Sequence, residues 1–117
     1  MKTTYVRVLA ALHCRAADPA ALVGRRVRLY DADALADDFL SASTIAADGT
    51  AAFLFDLSAA RSLDSLTETK PDLYCVVSRE DGSILYRSQV CADVDFMGVD
   101  PVSGEQHTTV RIDFHER

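Results

Sequence analysis

Residues 27–55 decide the fold: they run Val27-Arg28-Leu29-Tyr30-Asp31-Ala32-Asp33, then Asp37-Asp38-Phe39-Leu40, and close on Asp48-Gly49 and Phe53-Leu54-Phe55. Val27 and Leu29 alternate with Arg26, Arg28 and Tyr30, which is the two-residue period of a strand with one buried face. Phe53, Phe55 and Leu57 repeat that period beyond Asp48-Gly49. Gly and Asp tolerate positive φ, so this pair predicts a hairpin turn. A weaker run, Ala42 to Ala47, supplies the arm that enters it.

The same period extends along the chain. Val6, Val8, Ala10 and Leu12 alternate with Tyr5, Arg7, Leu9 and Ala11. Leu73 to Ser78 and Ile84 to Ser88 flank Asp81-Gly82, and Val110, Ile112 and Phe114 form a last alternating run. Helical signals are brief. Asp18-Pro19 before Ala20, Ala21, Leu22 and Gly24 has the cap, first-turn proline and terminal glycine of a single turn. Residues 58–66 predict a second short helix, with Leu63 and Leu66 facing the core. Strands with tight turns, and no helix between parallel strands, predict an all-β fold. It is an antiparallel seven- to eight-stranded β-sandwich with at most one or two short helices, in a single domain over residues 1–117.

At 117 residues and 12.8 kDa the chain is long enough to bury roughly two thirds of its unfolded surface without staples. Twelve Lys and Arg against eighteen Asp and Glu give a net charge of −6, which argues against nucleic acid or an anionic membrane as partner. No apolar run approaches the length of a membrane span. Arg7 interrupts the apolar N-terminal segment, so no signal peptide is expected. Three cysteines in a chain of this size predict a reducing, cytoplasmic setting. Cys75 shares its parity with Leu73 and Val77 and is expected to be a buried, inert thiol, whereas Cys14 and Cys91 lie near strand ends where they could pair. There is no Cys-x-x-Cys, and His13, His107 and His115 never fall at metal spacing, so zinc is not expected.

If successive strands alternate in direction, the connections after strands two, four and six emerge at one end. They carry Asp31, Asp33, Asp37 and Asp38, then Asp64, Glu68 and Asp72, then Asp93, Asp95, Asp100 and Glu105. Asp18, Asp48, Glu80 and Asp81 fall at the other end. An acidic rim follows, and two uses of it stay open. Its carboxylates can remain solvated and keep sheet edges from pairing. Alternatively Asp31, Asp33, Asp38, Asp93 and Asp95 supply oxygens to Ca²⁺, which draws its ligands from flexible loops. Phe39, Phe96 and Met97 are apolar residues within this rim and the candidates for touching a partner, although Phe96 and Met97 folded back would instead plug the end of the sandwich. Arg26 and Arg28 point the same way and are expected to form an ion ladder toward Asp113, with an anion site as the alternative.

The order of Val27-Arg28-Leu29-Tyr30-Asp31-Ala32-Asp33, Asp37-Asp38-Phe39-Leu40, Asp48-Gly49, Phe53-Leu54-Phe55 and Pro71-Asp72-Leu73-Tyr74 resembles the transthyretin-like family over about half the chain. The first two segments also look like the third calcium loop of C2 domains. The resemblance implies a prealbumin-type sandwich. That family includes carriers and 5-hydroxyisourate hydrolases, the latter ending in Tyr-Arg-Gly-Ser and using histidines with arginine in a channel between subunits. This chain ends Phe114-His115-Glu116-Arg117, and its Tyr86-Arg87-Ser88 is internal and lacks the glycine. The expectation is a non-catalytic binding or protein-interaction module that uses its acidic rim, with no catalytic residues and with self-association through an edge strand. A Ca²⁺-dependent form is the first alternative. The second is a small hydrolase with a pocket lined by His107 or His115 and Arg87 or Arg111.

Overall fold

In the computed structural model, which describes residues 5–15, 19–32, 36–56, 71–94 and 107–117, the alternating apolar residues turn inward from two sheets. The strands are β1 (Tyr5–His13), β2 (Arg26–Asp31), β3 (Asp38–Thr44), β4 (Thr50–Asp56), β5 (Leu73–Ser78), β6 (Ile84–Arg87) and β7 (His107–His115). One sheet has the order β4-β1-β7 and the other β3-β2-β5-β6. A single apolar cluster draws on both: Val6 and Val8 from β1, Phe53 from β4, Val27 and Leu29 from β2 and Val77 from β5 are fully buried. Among the described residues the architecture is therefore all-β with seven strands, as the two-residue period predicts. A 3-10 turn over Pro19–Leu22 buries Leu22 at the edge of the core. The expected helix over 58–66, and Leu57, lie outside the described residues.

Among the described residues the sheets are predominantly antiparallel, as expected; one pair, β1 and β7, runs parallel from Tyr5↔His107 to His13↔His115. Alternation of direction along the chain makes the first and last strands point the same way. Once they are neighbours, their pairing has to be parallel.

The two Asp-Gly turns also differ from a two-residue hairpin loop. Gly49 and Gly82 take φ of 82° and 89°, while Asp48 and Asp81 stay outside the positive region. The Ala46 and Arg79 N–H groups donate to the Thr50 and Ser83 carbonyls at 2.8 and 2.7 Å, and the glycine N–H groups return to the Ala46 and Arg79 carbonyls. This is a longer loop closed by a left-handed glycine. Asp48 and Asp81 hold it by accepting the N–H and hydroxyl of Thr50 and Ser83 respectively, and these bonds keep both carboxyls below the usual range.

The β3–β4 turn bridges the sheets, since β3 and β4 are edge strands of different ones. Beyond it they stay close enough for the Ser41 hydroxyl to donate to the Leu54 carbonyl at 3.1 Å. Strand β3 begins earlier than the sequence suggests, because a bulge interrupts its pairing with β2. Leu29 faces Ser41 but Tyr30 faces Phe39, leaving Leu40 as the extra residue. The bulge turns Leu40 into the core while Phe39 stays outside beside Tyr30.

A second joint closes the opposite edge. Ser88 follows β6 and is 1% exposed. Its hydroxyl accepts the Cys75 N–H at 2.8 Å and donates to the Gln89 carbonyl, and its backbone forms a bridge with Glu116 at the end of β7. A side-chain oxygen thus satisfies a buried strand N–H where the ladder is irregular. Ser88→Ala would leave that N–H unpaired, which costs about 1–3 kcal/mol. We expect a fall in urea midpoint with unchanged m-value; a midpoint equal to wild type would contradict the assignment.

Candidate functional site

Strand β2 carries Val27, Leu29 and Asp31 inward and Arg26, Arg28 and Tyr30 outward. Its last residue, Asp31, is therefore a buried carboxylate, 6% exposed, at the rim of the core. Such a group must be hydrogen-bonded. Asp31 Oδ1 accepts the Asp72 N–H at 3.1 Å. Asp72 Oδ1 in turn accepts the Asp93 N–H at 2.9 Å, and the Asp72 carbonyl accepts the Ala32 N–H at 2.7 Å. Asp93 adopts φ of 54°, a left-handed conformation that Asp tolerates better than most residues. Asp38 lies directly across the ladder from Asp31, and Asp37 accepts the Tyr74 hydroxyl.

The connections after β2, before β5 and after β6 thus meet at one pole, as alternation of strand direction predicts. Asp31, Asp37, Asp38, Asp72 and Asp93 are gathered there, while Asp48 and Asp81 sit in the turns at the far ends of their strands. Three of the five residues named for the Ca²⁺ alternative, Asp31, Asp38 and Asp93, are among those gathered. Among the described residues, no group of three or more His, Cys, Asp and Glu side chains is placed to hold an ion. The carboxylates of Asp31 and Asp72 are turned toward backbone N–H groups. Asp33 and Asp95 lie outside the described residues, as do Phe96 and Met97.

Phe39 is where the sequence placed it, in the rim and 54% exposed. Sequence reasoning missed what holds it. Its ring meets Tyr30 edge-on, with centroids 5.9 Å apart, and Tyr30 stacks on Tyr74 at 5.3 Å. The Arg87 guanidinium lies 5.1 Å over the Tyr74 ring. Tyr74 is 6% exposed although it points away from the core, because Arg87, Tyr30 and Asp37 cover it. Burial, then the hydrogen bond and charge of Asp37, push its hydroxyl up to about 12. The signal was in the register: Phe39, Tyr30 and Tyr74 occupy one cross-strand row, an arrangement that pairing fixes and composition does not.

The described residues named for a hydrolase do not all share one face. His115 stacks on His13 with centroids 4.8 Å apart, and His13 Nε2 lies 3.0 Å from Asp113 Oδ1. Arg111 shares that outer face of the β4-β1-β7 sheet and lines an open groove of ≈ 380 Å³ with Leu9, Ala11 and Ala52. Arg87 belongs to the other sheet, and the His107 side chain is outside the description. Tyr86 and Ser88 are structural: the Tyr86 hydroxyl donates to the Phe114 carbonyl at 3.0 Å, deep in the core. Cys14, Cys75 and Cys91 are all free thiols, and burial raises the Cys75 and Cys91 pKa values.

No family model matches the chain, and no curated protein matches it. Among solved structures it is similar to the 9R-lipoxygenase from Cyanothece PCC8801, at 14% identity and a TM-score of 0.49. The match covers 93% of this chain and 16% of that one, so this chain spans a small part of that protein's length. No described helix is long and apolar enough to cross a membrane.

The Tyr74–Asp37 pair sets a pH dependence. Tyr74 stays protonated in the folded chain up to about pH 12, whereas its ordinary value is 10.0. Its contribution is complete below pH 10 and is lost as the pH rises through that window, because only the unfolded chain releases the proton easily. Tyr74→Phe removes the hydrogen bond, at about 1–2 kcal/mol near neutrality. It should also show a shallower alkaline loss than wild type in melts across that range. Parallel curves for the two proteins would contradict this.

Proposed function

We propose that the chain is a non-catalytic binding module, a β-sandwich of the transthyretin-like, prealbumin type that holds a protein partner at its acidic pole. The seven strands in two sheets support that type. So do the positions of the residues that carry the resemblance. Asp31 ends β2, Asp38-Phe39-Leu40 opens β3, Asp48-Gly49 forms the turn before β4, and Pro71-Asp72 leads into β5. Three free thiols fit a reducing, cytoplasmic setting.

The observation that carries binding is Phe39. An aromatic side chain more than half exposed recovers only part of its burial energy from the fold, yet this one is braced by Tyr30 and, behind it, Tyr74. A rigid, exposed ring loses little entropy when it enters a partner's pocket, and such aromatics dominate interface energies. The surrounding carboxylates select a partner whose pocket has a basic border and steer its approach.

Asp31, Asp37 and Asp72 already accept hydrogen bonds from the chain itself, so the reading does not call on Ca²⁺. Thermal melts should be unchanged by millimolar Ca²⁺; a clear rise in melting temperature would favour the Ca²⁺-dependent form. The binding test is affinity capture from the native host by wild type and Phe39→Ala. The variant should stay folded, losing no more than the roughly 0.5–1.5 kcal/mol of the Tyr30 edge contact, and lose the captured partner, with affinity down by roughly 30-fold for a contact worth about 2 kcal/mol. Equal capture by both proteins would refute the proposal.

A further inference from the structure

We infer that the binding surface extends from Phe39 over the outer face of the β3-β2-β5-β6 sheet as a cationic groove that takes an extended acidic peptide segment of a protein partner, an inference that rests on the contact proposed above for Phe39. Arg26, Arg28, Tyr30, Phe39 and Ala42 line an open groove of ≈ 450 Å³ on that face. Both arginines are exposed. Among the described residues neither guanidinium has a hydrogen bond or an ion pair. The ladder toward Asp113 expected from the sequence does not form, because Asp113 belongs to the other sheet and its carboxylate is 3.0 Å from His13. Arg25, by contrast, donates its Nε–H to the Ala21 carbonyl at 2.9 Å.

Two uncommitted guanidinium groups in a chain of net charge −6 are a local inversion of the protein's own field. Each presents a planar fork that fits a carboxylate with two hydrogen bonds. Standing at alternate positions of one strand, they are about 6.5–7 Å apart along it. Acidic residues at alternate positions of an extended peptide have that same repeat. Ala42, paired with Arg28 across the ladder, keeps the groove open, and the Tyr30 and Phe39 rings at its end offer an apolar seat. An open groove suits a chain segment better than an enclosed small molecule, which needs most of its surface covered. The neighbouring acidic pole fixes the direction: the acidic residues lie over Arg26 and Arg28, and the uncharged end lies at Phe39.

The probe is a fluorescently labelled peptide of alternating glutamate and valine with a tyrosine at one end, followed by anisotropy at low and physiological salt. Wild type should bind it, more weakly as salt rises. Arg26→Gln/Arg28→Gln should bind at least about tenfold less, while Arg25→Gln binds as wild type. A variant melting as wild type does establishes that the loss is not unfolding. Asp38→Asn leaves this groove intact and so separates it from the acidic pole, whose failure would show in partner capture instead. Absence of binding, equal binding of the glutamine-for-glutamate peptide, or an unaffected double variant would each overturn the inference. So would displacement by inorganic phosphate at concentrations similar to the peptide's, which would reveal a simple anion site.

Discussion

The Asp31 carboxylate is the constraint on which the acidic pole of this protein depends. It is the one residue of β2's inward face that is not apolar, and it is placed where the core meets solvent. By accepting the Asp72 N–H it fixes the approach to β5, and Asp72 by the same means fixes Asp93. Two hydrogen bonds of carboxylate to backbone therefore tie three connections that are far apart in sequence. Hydrogen bonds to charged groups are worth about 1.5–3 kcal/mol each, more than neutral ones, and they also offset the repulsion that gathering carboxylates would otherwise create.

That tie positions an outward row of rings. Tyr74 opens β5 immediately after Asp72, stacks under Tyr30 and is clamped by Asp37 and Arg87. Phe39 completes the row only because the β3 bulge lets Leu40 turn inward beside it. The outer face consequently carries acid at one end and uncommitted arginine along its length, with aromatic rings between. On the proposed function, charge would discriminate among partners and the rings would bind them.

Much of this was legible in the sequence, because a two-residue period states directly which residues face the core. Val6, Val8, Val27, Leu29, Phe53 and Val77 follow from it, and so does the meeting of the acidic connections at one pole. The start of β3 did not follow, since a bulge breaks the period at Leu40 and Ser41. The parallel β1–β7 pair did not follow either, because alternation fixes strand direction but not which strands become neighbours. Composition showed that the loops were acidic but not what each carboxylate accepts. An Asp that holds a backbone N–H and an Asp that awaits an ion are the same letter, and register across three loops separates them. The arginines of β2 were misread for the same reason: which sheet Asp113 joins is a matter of topology.

The central claim is that the acidic pole is a hydrogen-bonded tie and not a set of solvated or ion-seeking loops. Native-state amide hydrogen exchange at Asp72 and Asp93 tests it most directly. Both N–H groups should be protected to a degree comparable with the neighbouring strand β5. Exchange of either at the rate of an open loop, with β5 itself protected, would contradict the account.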